Sequence, residues 1–572
     1  MTIDDFFTDD IIIRYLCDLR AKKAKQRSEK HLIHLISQKE KLNHHKFQTE
    51  EEIYLKKILP PRRKWKKLGK VKRYKTKWQK INSFDYNTKC IYITVKYYLH
   101  HYPNEPFVIA LNDFIITVRE IINSNDYCIQ PPRIYPKHKK PEKKSSVCRP
   151  IAVYSIVDKL VISKTNAYLT KVFDSGFYDA SYAFRATREV NKKQIQVNHH
   201  TAIEDILTYR KKYKGKKLYV AECDMSKFYD SVNHSVIKNQ FQKKLKSLRK
   251  KGIKIDERAI HIFYSYLKSY NFIKNVLPLN KDNNFWEYKN FSKDCYFEWV
   301  EEELLQKGHY KRTARATIGI PQGGAISGFI ANLVLDFADK QVLKSKDKKL
   351  LYIRFCDDMI IMHPYKYGCM NAIVKYENAL LNLKLIPHEF HLMHLNKKIE
   401  FWDKKSKQPY KWSSNHTAIK HFPWIGFVGY EMHFTGKIRV RKSTLKKEIK
   451  KQKKVVHKII RSIDNNNLNK RKGTVMESAI HRLIGMSVGR VTMWNHNNLE
   501  NEMCWVNGFP ELSDNKYLRK QLKKLDHYRN YQIKFLKKYL KTVEEKKPST
   551  DKRAKKKYYG KPYSYYKQML DT

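Results

Sequence analysis

Three aspartates in this chain of 572 residues stand where side chains could act together. Asp224 ends an apolar run in YVAECDMSKFYD, residues 219–230. Asp357 and Asp358 lie between two apolar runs in YIRFCDDMII, residues 352–361. Like charges a few ångströms apart raise each other's pKa and cost energy unless a cation lies between them. Magnesium takes hard oxygen ligands and keeps positions open for phosphates. Two such ions, roughly 3.5–4 Å apart, can clamp the attacking and leaving oxygens of a phosphoryl transfer. An Asp pair in a turn is ordinarily turn chemistry. Between the two acidic segments, however, lies GIPQGGAISGFIAN, residues 319–332, a small-residue loop that runs into an apolar helix. Its glycines would let backbone approach a base or ligand closely, and Gln322 offers both a donor and an acceptor there. Acidic strand, P-Q-G loop and D-D hairpin in that order are more specific than any one piece.

The surrounding elements can be read from pattern. Leu218 to Ala221 reads as a short buried strand that delivers Asp224. Leu350 to Phe355 and Met359 to Met362 read as two strands joined by a tight turn at Cys356, Asp357 and Asp358. Prolines and lysines over 127–150 indicate a loop or β-hairpin, and a helical pattern runs from Ile151 to about Phe173. Residues 443–463 repeat Leu445, Ile449, Val456, Ile460 and Ile463 at helical spacing, with lysines on the other face. Residues 1 to about 105 look mainly helical and basic. There Trp65, Tyr74 and Trp78 interleave with cations as stacking groups for nucleic acid.

Lys and Arg number 117 against 56 Asp and Glu, a net charge of +61. That self-repulsion calls for a polyanionic partner, with nucleic acid first and an anionic membrane surface second. With 41% hydrophobic residues the chain is too apolar for a disordered polycation. The longest uncharged run, Ala316 to Leu335, is broken by Gly, Pro, Gln and Asn, so no bilayer-spanning helix is expected. The start, Met1-Thr2-Ile3-Asp4-Asp5, argues against a secretory signal. Nine scattered cysteines with no C-x-x-C disfavour a disulfide scaffold or zinc ribbon and fit a reducing cytoplasm. His388-Glu-Phe-His391 misses the H-E-x-x-H spacing of a zinc protease and reads as a surface loop. Cys223 and Cys356 read as small packing residues.

Taken together, these segments resemble the reverse transcriptase family over roughly residues 127–460, especially its bacterial branch of group II intron, retron and defence-associated enzymes. RPIAV at 149–153 with DKLV at 158–161 resembles a fingers motif. SYAFR at 181–185 resembles S-Y-G-F-R, with Ala183 for Gly. Residues 224–230, 319–332 and 355–358 resemble motifs A, B and C. WIGFVGY at 424–430 resembles the primer grip, carried by Gly426, Phe427 and Gly429, and IRVR at 438–441 leads into a thumb-like helix. The resemblance implies an α+β right-hand fold: fingers, an antiparallel-sheet palm and a helical thumb. It implies a basic N-terminal extension over 1–105, fingers over 106–215 and a palm over 216–440 with an insertion at about 235–315. A helical thumb and C-terminal region at 441–545 and a basic tail at 546–572 complete the division.

The same resemblance implies roles. Asp224 and Asp357 would be the principal ligands of two Mg2+ ions, with Mn2+ as a substitute. Asp358 would be a weaker ligand, and the carbonyl of Met225 would complete a site. Tyr229 would be the steric gate against ribose. Gln322 would pack on the incoming nucleotide, and Arg149 and Lys137 would hold its triphosphate. Lys397 or Lys398 would protonate the leaving pyrophosphate. The expected activity is RNA-directed DNA synthesis from deoxynucleoside triphosphates on an RNA template, yielding a DNA product. The setting would be the cytoplasm, with no membrane, and a protein partner or homo-oligomer is left open. A Cys/His-rich endonuclease module and the N-A-x-x-H element of retron enzymes are not found. The reading therefore leans to a stand-alone antiviral defence enzyme copying a dedicated non-coding RNA. Competing readings are an intron maturase, an RNA-dependent RNA polymerase, and primer-independent or protein-primed synthesis using tail tyrosines such as Tyr558 and Tyr563.

Overall fold

The computed structural model describes residues 1–34, 49–69, 83–124, 126–139, 146–190, 193–195, 197–289, 291–392, 398–414, 421–464, 475–476, 479–480, 482–483 and 512–545. The chain divides into two compact units. One comprises Met1–Ile11, Ile115–Val428 and Met432–Gly436, the other Ile12–Phe114, Gly429–Glu431 and Lys437–Thr572.

The first unit is α+β. The strands of the two sheets that carry the site are β1 (Arg133–His138), β2 (Val147–Val153), β3 (Leu218–Cys223), β4 (Tyr296–Phe297), β5 (Leu351–Phe355), β6 (Asp358–His363), β7 (Phe390–His391), β8 (Ser406–Trp412) and β9 (His421–Phe422). The main sheet has the order β9-β8-β3-β6-β5, with β7 added on β8. Its centre is antiparallel: β3 pairs with both β6 and β8, and β6 with β5. The central strands are apolar on both faces, as Val220, Ala221, Ile360, Ile361 and Met362 are all fully buried. Helix Lys366–Asn382 lays Cys369, Ala372, Ile373, Tyr376 and Leu380 into the interior. Helix Ile326–Leu343 is buried along nearly its whole length. Phe173, Phe241, Phe263 and Phe329 form a ring cluster beside it, with centroids 4.0–6.1 Å apart. Such aromatic pairs add roughly 0.5–1.5 kcal/mol each beyond their buried area.

A second sheet joins β1, β2 and β4. The helix expected from Ile151 starts later, at Ile156. Residues 147–153 instead alternate, with Cys148, Pro150 and Ala152 inward and Arg149 outward, and pair with β1. The Ser155 hydroxyl then caps the helix, accepting from the Asp158 amide at 3.0 Å.

In the second unit, helices Lys442–Asp464 and Lys516–Glu545 share a core of Val456, Ile459, Ile460, Ile463, Leu536 and Leu540. Trp65 packs against Leu68 and Cys90 and donates its indole N–H to the Pro60 carbonyl at 2.9 Å. It is therefore a structural residue and not the open stacking group expected. Tyr74, Trp78 and the tail tyrosines lie outside the described residues. Among the described residues no helix is long and apolar enough to cross a membrane.

Candidate active site

The three aspartates meet at one end of the main sheet. Antiparallel pairing of Cys223 with Met359 and of Phe355 with Asp358 brings the end of β3 beside the β5–β6 turn. Only Cys356 and Asp357 make that turn, and Cys356 takes φ +61°, a left-handed conformation unusual for a non-glycine residue. Burial, partly offset by a backbone hydrogen bond, raises the Asp357 pKa, and the nearby Asp224 charge raises it further. Asp358 is exposed on the next residue.

Asp224 is held through its backbone. Its amide donates to the Ser406 hydroxyl at 3.1 Å, and its carbonyl accepts from the His388 amide at 3.0 Å. Lys405 Nζ lies 2.8 Å from its carboxylate and donates to His388 Nε2 at 3.0 Å. His388 Nε2 itself is 4.0 Å from the same carboxylate. Burial, with Lys405 nearby, lowers the His388 pKa and keeps the ring neutral. The H-E-F-H stretch is thus not a detached surface loop: Phe390 and His391 add a strand to the sheet edge, which brings His388 to the acids. Met225 is buried and bridges to Pro387.

The turn is braced from below by Arg354, which sequence reasoning passed over. Its guanidinium is fully buried and makes a two-pronged pair with Asp339, at 2.8 and 2.6 Å. It also donates to the Cys356 carbonyl at 3.1 Å and to Asn332 Oδ1 at 3.3 Å. Its backbone pairs with the SYAFR segment: the Tyr182 amide donates to the Arg354 carbonyl, and the Arg354 amide to Ala180. One buried cation therefore ties the turn to the helix of residues 326–343.

The 319–332 loop is threaded between two elements. The amides of Gly319 and Ile320 donate to the carbonyls of Val232 and Tyr229, while the Gln322 carbonyl accepts from Ala152. Its glycines serve the protein's own packing more than a ligand. A Cβ on Gly319 would come within 2.7 Å of Phe272 Cβ, one on Gly328 within 2.6 Å of the Phe184 ring, and one on Gly324 would meet the Tyr266 hydroxyl. Gly323 alone of these is exposed and left roomy, at φ +101°. The Gln322 amide donates to Asp230 at 2.8 Å. Asp230 is buried, which pushes its pKa up to about 6 despite the Gln322 hydrogen bond and the nearby cations. The Tyr229 hydroxyl lies 3.1 Å from Cys356 Sγ, directly behind the acidic turn. Burial and the Asp357 charge push the Cys356 thiol up to about 12, which suits packing and not nucleophilic attack.

Lys137 and Arg149 are opposed partners across β1 and β2, and both are exposed. Like charges placed directly opposite in a sheet are destabilising, so the pair suits an anion. Two further cations accompany them: Lys139 and Lys227 lie 3.0 and 2.7 Å from Glu298 Oε2. Hydrogen bonding from Lys227 holds the Glu298 pKa down to about 2. Gly426 and Phe427 lie on strand Trp424–Phe427, and Gly429, at φ +93°, turns the chain after it. Lys397 lies outside the described residues, and Lys398 begins helix Lys398–Asp403.

Residues 137–402, which span all of these acids and cations except Lys405, match the family described as reverse transcriptase (RNA-dependent DNA polymerase). This region is a reverse transcriptase domain. The domain is 25% identical over 208 residues to the group II intron-encoded protein LtrA of Lactococcus lactis subsp. cremoris, a match covering 36% of this chain and 25% of that protein. It is 23% identical over 206 residues to a retrovirus-related Pol polyprotein of the type-1 retrotransposable element R2 of Nasonia vitripennis, covering 35% and 16%. The match thus spans a quarter or less of these curated relatives. Among solved structures, the telomerase of Candida albicans with a telomeric RNA fragment aligns over 95% of this chain and 87% of its own, at 12% identity. Its TM-score of 0.32 is too low to bear on the fold.

Proposed function

We propose that the chain is an RNA-directed DNA polymerase, with Asp224, Asp357 and Asp358 as its catalytic carboxylates. The observation that carries this is their convergence at one sheet end, with an ammonium already drawn onto Asp224. Lys405 there stands in for positive charge, and hard carboxylate oxygens suit Mg2+, with Mn2+ as a substitute. Asp224, Asp357, Asp358 and the Met225 carbonyl would hold the ions. When bound, these supply activation of a primer 3′-hydroxyl and neutralisation of the leaving pyrophosphate.

The chain's own residues do the rest. Arg149 and Lys137, with Lys139 and Lys227 near them, bind and orient the triphosphate. Tyr229, fixed behind the turn, offers a ring that excludes a ribose 2′-hydroxyl. Gln322 is positioned by Asp230 to shape the nucleotide pocket. Gly426, Phe427 and Gly429 support the primer end. Lys405, held at Asp224, is placed to donate a proton near the phosphates, the role the resemblance gives to Lys397 or Lys398. The template is RNA and the product DNA. A dedicated non-coding RNA, an antiviral defence setting and a cytoplasmic location belong to the same proposal.

Primer extension on an RNA template with deoxynucleotides tests it. Asp357→Asn should lower extension by at least about a thousandfold, since it removes a transition-state interaction, while RNA binding stays within a few-fold. Extension surviving in the purified variant would sink the assignment. A maturase reading draws on the likeness to an intron-encoded protein. It predicts RNA-dependent splicing stimulation that survives the same substitution. Sequencing nucleic acid that copurifies with the chain would separate a dedicated RNA from a general template.

A further inference from the structure

His138 ends β1, Cys148 stands opposite it on β2, and Cys295 leads into β4, which pairs with β2 through Cys148 and Phe297. The Nδ1 or Nε2 atom of the histidine and the two Sγ atoms all lie within 4.8 Å of one another. Cys148 Sγ is 3.7 Å from His138 Nδ1. A tetrahedral Zn2+ with sulfur at about 2.3 Å and nitrogen at about 2.0–2.1 Å sets those two atoms about 3.6 Å apart. Both cysteines are buried, and the half-buried His138 ring lies tilted against Phe291 with centroids 4.6 Å apart, so the cluster is largely sheltered and open to solvent only on the histidine side. A sheltered thiol–imidazole contact could serve packing alone. Three nitrogen and sulfur donors from three separate segments, all within 4.8 Å and one pair at the edge length of a coordination tetrahedron, fit more than packing.

We propose that His138, Cys148 and Cys295 bind one Zn2+ ion that clamps residues 291–297 onto the β1–β2 hairpin. The donor set of two thiolates and an imidazole selects zinc over magnesium or calcium, whose ligands are oxygens. Each thiol releases its proton on binding, and the fourth position takes a water molecule. The ion is structural. Lys137 and Arg149, one residue from His138 and Cys148, are exposed on the opposite face of the strands, while both cysteines turn inward. The clamp therefore fixes the sheet from behind without facing the triphosphate.

The full chain, purified without chelator and analysed for metals by plasma mass spectrometry, should carry one zinc per molecule. Co2+ exchanged into it should give the visible spectrum of a tetrahedral site with thiolate charge transfer. Cys148→Ser and Cys295→Ser should each weaken zinc binding by about a hundredfold or more, beyond the loss typical of outer-shell changes. Cys128→Ser, at an exposed cysteine outside the cluster, should keep the metal. If the ligand variants fail to fold, competition of wild-type protein against a chelator of known zinc affinity still decides. Wild-type protein that takes up no Zn2+ from such a buffer, zinc retained in the double Cys148→Ser, Cys295→Ser variant, or a Cys148–Cys295 disulfide in its place would overturn the proposal. Metal content does not depend on polymerisation, so failure here leaves the catalytic reading standing.

Discussion

Arg354 and Asp230 carry charge into the interior for different ends. Arg354 is fully buried, and its two-pronged contact with Asp339 is joined by the Tyr352 hydroxyl at 2.6 Å. Removing one partner of such a pair leaves the other uncompensated, at a cost of about 3–5 kcal/mol. Arg354→Leu should therefore lower stability by that order in chemical denaturation, and should loosen the aspartate turn that the guanidinium braces. Asp230 works the other way. Folding raises its pKa from 3.8 to about 6, so the folded chain holds this proton more tightly than the unfolded chain. Its contribution to stability is fully present below pH 3.8 and is lost as pH rises through about 6. Asp230→Asn keeps an acceptor for Gln322 and removes the cost of ionisation. Relative to wild type, the variant should gain stability between about pH 4 and 6, by at most about 3 kcal/mol, and hold that gain above. Unfolding midpoints of both proteins at pH 4 and pH 7 check this, and a pH-independent difference would refute it.

At the scale of elements, the 319–332 loop depends on conformation as much as on composition. Gly319 combines φ +89° with a Cβ position already taken by the buried Phe272 and close to the Asp230 carbonyl. Gly319→Ala should cost roughly 1–3 kcal/mol from overpacking, with backbone strain added. Thermal unfolding reads that loss, and a variant as stable as wild type would show that the loop relaxes freely. The strands and the helix after residue 442 are legible in the sequence because burial imposes a period on it. The helix start at Ile156 is not, because residues 147–153 alternate only once their pairing with β1 is known. The glycines of the loop suggest room for a ligand because composition reports that a Cβ is missing, not what fills its place.

For the whole molecule, the net charge of +61 suits a polyanion, and the proposed polymerase activity would set it along a nucleic-acid backbone. Helix Lys442–Asp464 shows the division: Val456, Ile459, Ile460 and Ile463 face its core, while Lys446, Lys447 and Lys454 are exposed. Replacing these three lysines by alanine should weaken RNA binding and reduce the slope of log affinity against log salt by about 0.7 for each phosphate no longer neutralised. A slope unchanged from wild type would place the nucleic acid elsewhere.

The sequence by itself picked out the three aspartates that the fold brings together and the strands that carry them, and its charge led to the proposal of a polyanionic partner. Each rests on a short-range signal: apolar runs ending in Asp, a small-residue loop, an excess of Lys and Arg. Only the tertiary structure decided what surrounds those acids. Lys405 and His388 reach Asp224 from more than 160 positions away, Arg354 braces the turn through Asp339 and Asn332, and His138, Cys148 and Cys295 converge from three segments. Contacts between distant segments leave no period in the chain. They arise where strand register and helix packing bring side chains together, and those depend on the fold as a whole.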